Sequence, residues 1–355
     1  MNNNIQFDTF GGEAHEYFTV ELRPTSKCNY NCYYCPDLHI NSNPIKNLNF
    51  SDLKNLLTII QRRQKRNIHV FICGGEPTLY PKLQDLVLSM CGYLKDTDRI
   101  TIQTNLSKPL KWFQKFTEKI ECYNKIVCIN GSYHNIQDID IYNYIAKCLH
   151  IKQKNLLGMV SFGYNSRKCV KSDYFNFKKI VGAEHAEIVP LINGSVDQDK
   201  NKGNGSDNDI DFIYEHEDME EFESYGAFFE YNLEYTNESG ESKTTRANMW
   251  KTRENNFSGY KCSVTKHKLY VDWDGSCFGC FNHQFSPTPA LFYIHEHEKI
   301  AKYFTELKCM DCPFTTCFFD LEYKKQKQST NTKEIEIDRK FNTYTYKNYE
   351  NYKTN

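Results

Sequence analysis

No stretch of this 355-residue chain is long and apolar enough for a bilayer-spanning helix, which needs roughly 18 to 20 apolar residues in a row. The opening stretch, Met1 to Phe10, carries neither a basic patch nor an apolar run of the kind an export signal uses. Neither sign of charge dominates. With 44 Lys and Arg against 45 Asp and Glu, charge gives no general argument for nucleic acid or an anionic membrane as partner. No internal repeat of fixed period is visible, which sets aside solenoids and propellers. The expectation is a cytoplasmic protein with no nucleic-acid and no membrane partner.

What the chain has in quantity is cysteine, 15 residues of it. The odd count, the chain length and the missing export signal argue against a disulfide scaffold, and clustered cysteines in a reducing compartment point to metal. Cys91, Cys122, Cys128 and Cys148 lie singly in periodic apolar segments and read as small buried hydrophobes. Two groups stand apart. Cys28, Cys32 and Cys35 fall in Cys-Asn-Tyr-Asn-Cys-Tyr-Tyr-Cys, just after the β-rich run Tyr17 to Leu22. Three thiolates on one short loop can hold three corners of an iron-sulfur cube and leave the fourth iron without a protein ligand.

The second group is Cys277-x2-Cys280 and Cys309-x2-Cys312, with Cys262 before it and Cys317 after it. Two CxxC pairs also suit a structural zinc site. A regular strand points Cys277 and Cys280 to opposite faces, so both reach one cluster only if the chain bulges near Gly279.

Between these groups the pattern alternates. Strand-like runs at Tyr17 to Leu22, Ile68 to Cys73, Arg99 to Thr104, Lys125 to Asn130, Leu156 to Phe162 and His185 to Leu191 are separated by amphipathic helical patterns. The first helix reads as capped by Ser51, with Leu53, Leu56, Leu57 and Ile60 on one face and a basic end. Six βα units imply a parallel sheet and are too few to close an eight-fold barrel, so the fold class is α/β, a partial (βα)6 TIM-like barrel. The cysteine loop and Gly74-Gly75-Glu76-Pro77 then both fall at the C-terminal ends of strands, where barrel enzymes keep their catalytic loops.

The expected domains are residues 1–192 for the barrel, 193–260 for a polar and acidic linker or insertion, 261–322 for a small cysteine-rich α+β extension and 323–355 for a polar tail. Asp197, Asp199 and Asn201 have alternate spacing, but Lys202 and Asn208 occupy the glycine and twelfth positions of an EF-hand, which argues against calcium there.

The CxxxCxxC loop, Tyr34 before its last cysteine and the Gly-Gly-Glu-Pro segment together resemble the signature of the radical S-adenosylmethionine (radical SAM) enzymes. The resemblance implies a 4Fe-4S cluster on Cys28, Cys32 and Cys35, chelated at its open iron by S-adenosylmethionine. It implies an oxygen-sensitive enzyme that cleaves this cofactor with one electron to methionine and a 5'-deoxyadenosyl radical. It further implies cofactor contacts from Tyr34, Gly74, Gly75, Glu76 and Pro77, with Thr104 and Asn105 nearby, and a reductant such as flavodoxin or ferredoxin as partner.

Ser132, Tyr133 and His134 follow a strand and are candidates to face substrate or cofactor. The spacing from Cys262 through Gly275 to Cys280 resembles the opening of SPASM and twitch extensions. That implies one auxiliary 4Fe-4S cluster on Cys262, Cys280, Cys309 and Cys312, with Cys277 and Cys317 as further ligand candidates. Position 321 is Leu where a second auxiliary cluster would want Cys. The expected reaction is oxidation, epimerisation or cross-linking of a small polar metabolite, sugar-like in character. The alternatives are modification of a ribosomal precursor peptide and a non-catalytic zinc or iron-sulfur sensing module.

Overall fold

The computed structural model describes residues 9–10, 16–32, 35, 44–124, 126–134, 139–164, 171–190, 231–236, 242–247, 260–280, 289–311 and 325–327. A two-residue strand, β1 (Thr9–Phe10), precedes the six strands that carry the fold: β2 (Tyr17–Leu22), β3 (Asn67–Ile72), β4 (Arg99–Thr104), β5 (Val127–Tyr133), β6 (Leu157–Tyr164) and β7 (Ala186–Pro190). Each pairs in parallel with the next. The helices between them are α1 (Phe50–Arg63), α2 (Leu83–Cys91), α3 (Leu110–Ile120), α4 (Ile141–Gln153) and α5 (Lys171–Ile180). The order does not close on itself, so this is an open, barrel-like α/β sheet.

Side chains alternate along each strand, and the two faces of the sheet differ sharply. Phe18, Val20, Leu22, Ile68, Val70, Ile72, Ile100, Ile102, Val160 and Phe162 point to the helix layer and are buried. The helices answer with apolar stripes: Leu53, Leu56, Leu57 and Ile60 of α1 are all buried. At roughly 1.5–3 kcal/mol for each large side chain taken from water, this layer supplies the main stabilisation. The helix starts two residues earlier than a Ser51 cap implies. Asn49 is the cap, its Oδ1 accepting from Ser51 N at 2.9 Å and Asp52 N at 3.1 Å; Ser51 lies inside the first turn and supplies one of the capped amides.

The chain then does something the six-unit pattern does not announce. Strands β8 (Tyr231–Thr236), β9 (Ser242–Ala247) and β10 (Tyr260–Cys262) lead to β11 (Lys268–Val271), which pairs in parallel with β2. The hairpin partner β12 (Ser276–Phe278) and β13 (Phe292–Tyr293) complete a nine-stranded sheet. Asp274-Gly275 makes the turn, with Gly275 at φ 86°, the left-handed region that glycine enters without strain. Helix α6 (His297–Thr305) packs on α1, placing Phe304 edge-on to Phe18 at 5.3 Å. A second sheet holds β14 (Met310–Asp311) and β15 (Lys325–Lys327) in the order β14-β10-β15-β1-β8-β9. Within the span read as a polar tail, residues 325–327 thus form an inner strand of that sheet. Among the described residues, no helix is long and apolar enough to cross a membrane.

Candidate functional site

The loop that leaves β2 carries Cys28, Cys32 and Cys35, each half-buried and none in a disulfide. Its conformation is held by its own backbone: Cys35 N donates to Cys32 O at 3.0 Å, and Tyr30 N donates to Cys28 Sγ at 3.4 Å. Burial pushes the Cys28 thiol up to about 11, the nearby carboxylate of Glu76 and thiol of Cys35 adding to it against the Tyr30 N–H. Cys35 is also pushed up to about 11 by burial, against the pull of the Arg23 guanidinium. Among the described residues, no three His, Cys, Asp or Glu side chains are grouped to hold a metal ion. Three thiols on one loop are chemically the donor set that an iron-sulfur cube takes, one thiolate to each iron. Tyr34 lies outside the described residues.

Gly74-Gly75-Glu76-Pro77 follows β3 and meets this loop directly. Gly75 N donates to Thr25 O at 3.3 Å and Glu76 N to Lys27 O at 2.7 Å. A Cβ on Gly75 would stand 2.3 Å from Lys27 O, and one on Gly74, at φ +106°, 2.9 Å from Arg23 Cβ. The close approach that requires glycine here is therefore to the chain's own backbone at the root of the cysteine loop. Pro77 opens a single 3-10 turn, Pro77–Leu79.

Glu76 is almost wholly buried, and its carboxylate is a brace. Oε1 accepts from Thr78 N at 3.0 Å, Thr78 Oγ1 at 2.6 Å and Thr104 Oγ1 at 2.6 Å, while Oε2 accepts from Asn105 N at 2.8 Å. Burial raises its pKa and these four hydrogen bonds oppose that rise. Asn105 in turn donates Nδ2 to Asn29 Oδ1 at 3.1 Å, and Ser107 Oγ donates to the same oxygen at 3.2 Å. The ends of β3 and β4 and the cysteine loop are thus sewn together. Thr104 and Asn105 act in that seam. Leu106 takes a left-handed φ of 52°, and the buried Lys147 ammonium donates to its carbonyl at 2.8 Å.

The three residues expected after the fourth strand of the repeat separate. His134 comes to the loop: its Nδ1 is 4.0 Å from Cys32 Sγ and its ring lies edge-on to Tyr30 at 5.8 Å. Ser132 lies on the concave face, where Gln103 Nε2 donates to its Oγ at 2.6 Å. Tyr133 does not join them. It is buried in the helix layer between Tyr144 and Phe162, its hydroxyl donating to Asp173 at 2.7 Å, because strand alternation turns it to the opposite face.

That concave face is polar along its length. Glu21 pairs with Lys268 at 3.2 Å and accepts from Cys73 Sγ at 3.4 Å. Arg23 pairs with Asp272 at 3.5 Å and lies 4.1 Å from the centre of the Trp273 ring. His69 meets Thr101 at 2.9 Å, and Ser161 donates to Glu187 at 2.5 Å. Sequence reading passed over these residues, although the signal was present: parallel strands buried on both faces run continuously apolar, whereas these alternate.

At the C-terminal end, Cys262 sits on β10, and its pairing with Met310 sets it beside Cys309. Thr265, three residues on, is the hub. Its Oγ1 bonds Lys308 O, Tyr303 OH donates to its carbonyl at 2.8 Å, and its Cγ2 lies where a Cβ on Gly279 would be, 2.3 Å away. Lys308 precedes Cys309 and Gly279 precedes Cys280, so the segments that carry Cys262, Cys280 and Cys309 meet at Thr265. Cys277 faces away, fully buried within the apolar core, as strand alternation requires. Cys312 and Cys317 lie outside the described residues.

Residues 22–140 match the family model described as the Radical SAM superfamily. This segment matches a radical SAM domain. The match takes in both the cysteine loop and the Glu76 seam. Among solved structures, the chain is similar to SuiB of Streptococcus suis bound to its precursor peptide SuiA, at 12% identity and a TM-score of 0.55, over 82% of this chain and 65% of that one. The chain thus spans just under two thirds of SuiB's length, and the likeness is one of fold. Weaker likenesses are to anSMEcpe with bound AdoMet, at 13% identity over 79% of this chain and 80% of that one with a TM-score of 0.48, and to BtrN in complex with AdoMet and 2-DOIA, at 15% identity over 82% and 87% with a TM-score of 0.41. No curated protein matches the chain.

Proposed function

We propose that this protein is a radical SAM enzyme that acts on a small polar substrate held against the concave face of the sheet, below the cysteine loop. The observation that carries the reading is the juxtaposition of that loop, sewn to the ends of β3 and β4, with a face lined by serine, glutamine, histidine and carboxylate side chains. Cys28, Cys32 and Cys35 would hold a 4Fe-4S cluster. When bound with S-adenosylmethionine and supplied one electron by a reductant, that group furnishes methionine and a 5'-deoxyadenosyl radical able to take a hydrogen atom from an unactivated carbon.

The chain's own residues set the geometry. Glu76 and Asn105 fix the floor of the loop, Tyr30 and His134 cover its flank, and the polar row beneath orients the substrate's hydrogen-bonding groups toward the cluster. Iron binding would take the thiol protons of Cys28 and Cys35, and the positive charge of the iron would offset the cost that burial sets on their thiolates. The meeting at Thr265 of the segments that carry Cys262, Cys280 and Cys309 supports a second, auxiliary cluster, with Cys312 as its fourth ligand.

Anaerobic reconstitution with iron and sulfide, followed by S-adenosylmethionine and dithionite, tests the reading. The expected result is about eight irons per chain and reductant-dependent 5'-deoxyadenosine. A clustered protein that binds the cofactor and never cleaves it would overturn catalysis. Zinc retained in place of half the iron would overturn the auxiliary cluster alone.

A further inference from the structure

One polar row crosses the concave face near its far edge. Ser132 on β5 lies in register with Ser161 on β6, and Ser161 with Glu187 on β7. Ser161 donates its hydroxyl to Glu187 Oε1 at 2.5 Å, and Gln103 reaches Ser132 at 2.6 Å from the other side. Ser132 is two residues before His134, so the row lies one layer beneath the side chain that touches Cys32.

Glu187 differs from the other acids of this sheet. Glu21 is neutralised by Lys268 and Asp272 by Arg23. Glu76 is satisfied by two hydroxyls and two backbone amides, and buried Asp98 by the amides of Ile68 at 2.7 Å and Lys95 at 2.8 Å. Glu187 has Ser161 as its hydrogen-bond partner, and among the described residues no cation pairs with it. The side chain is half-buried, and burial holds its pKa up against the Ser161 hydrogen bond. Among the described residues no counter-charge meets it.

We propose that Gln103, Ser132, Ser161 and Glu187 form a recognition site for the ammonium group and adjacent hydroxyls of a small hydroxylated amine. The assignment rests on the radical SAM reading above and names its substrate class. Glu187 accepts from the ammonium, while the two serine hydroxyls and the glutamine amide each offer both a donor and an acceptor to sugar-like hydroxyls. A site built to bond a polar group rejects the analogue that lacks it, because its own buried groups are then left unpaired.

The test is calorimetry at pH 6 on the full chain, loaded anaerobically with iron, sulfide and S-adenosylmethionine, with glucosamine, glucose and a short lysine-containing peptide as probes. Glucosamine should bind at least about tenfold more tightly than glucose, equivalent to about 1.4 kcal/mol, and more tightly than the peptide. Glu187→Gln should erase that preference, and Glu187→Asp should keep part of it.

Should the glutamine variant not fold, the wild type decides. Wild type should also bind glucosamine more tightly than N-acetylglucosamine, whose nitrogen carries no charge. Equal affinity for glucosamine and glucose (including none for either), tighter binding of the peptide, a preference that survives Glu187→Gln, or equal affinity for glucosamine and N-acetylglucosamine would overturn the assignment. A wild type that forms 5'-deoxyadenosine yet fails these tests refutes this subsite alone, whereas one that forms none refutes the reading beneath it.

Discussion

The two cysteine groups of this chain are assembled by different means. Cys28, Cys32 and Cys35 share one loop at the end of β2, are half-buried, and are brought together by local chain alone. Cys262, Cys280 and Cys309, two of them buried, lie on three separated segments, and those segments meet where Thr265 packs simultaneously on Gly279 and Lys308. A local site survives whatever leaves its loop intact. A site made by tertiary packing depends on the packing.

The largest effect should separate the groups outright. Cys32→Ala should abolish 5'-deoxyadenosine formation, whereas Cys280→Ala should lower bound iron by about four per chain and leave some cleavage uncoupled from product. Chromatography of the nucleoside with iron analysis reads both; equal loss of cleavage in the two variants would erase the distinction.

The two glycines beside the groups give the next contrast. At Gly75 an added Cβ meets backbone, Lys27 O at 2.3 Å, and Gly75→Ala should cost about 3 kcal/mol in urea unfolding of the metal-free chain. A residue shared by both regions comes next. His69 on β3 faces Thr101, Tyr17 and Phe71, with Arg99 and Lys268 of the C-terminal hairpin nearby.

Burial first, then those two cations, lower the His69 pKa from 6.5 to about 3, so the unfolded chain binds the proton more readily. Stability from this group is whole above pH 6.5 and falls by about 1.4 kcal/mol per pH unit below it, or about 2 kcal/mol by pH 5. Urea titrations of His69→Gln should lack that part of the slope. The smallest effect is at Gly279, where the obstacle is the Thr265 methyl at 2.3 Å. Gly279→Ala should cost about 1 kcal/mol and deplete the auxiliary iron, and adding Thr265→Ser, which removes that methyl, should restore most of both.

Much of the barrel was legible beforehand. Six strand-like runs and five helical stripes correspond to β2–β7 and α1–α5 within a few residues. The errors have physical causes. Ser51 and Asn49 are both good caps, and only the path of the chain decides which reaches the first amides. Tyr133 was read with Ser132 and His134 because loop polarity was weighed above alternation, yet β5 extends to Tyr133 and carries it to the helix side. Asn29 and Ser107 were missed because their role is a hydrogen bond between loops distant in sequence.

The sequence by itself determined the cysteine loop, the α/β alternation and the glycines at the end of β3, since each depends on spacing, periodicity or the missing side chain of a single residue. Only the tertiary structure decided that Glu76 is a brace, that β11 extends the sheet beside β2, that Cys277 turns into the core while Cys280 does not, and that Glu187 meets a serine hydroxyl and, among the described residues, no cation. Those outcomes turn on which groups meet after burial, and a buried carboxylate carries no mark in the sequence of the partner it will find.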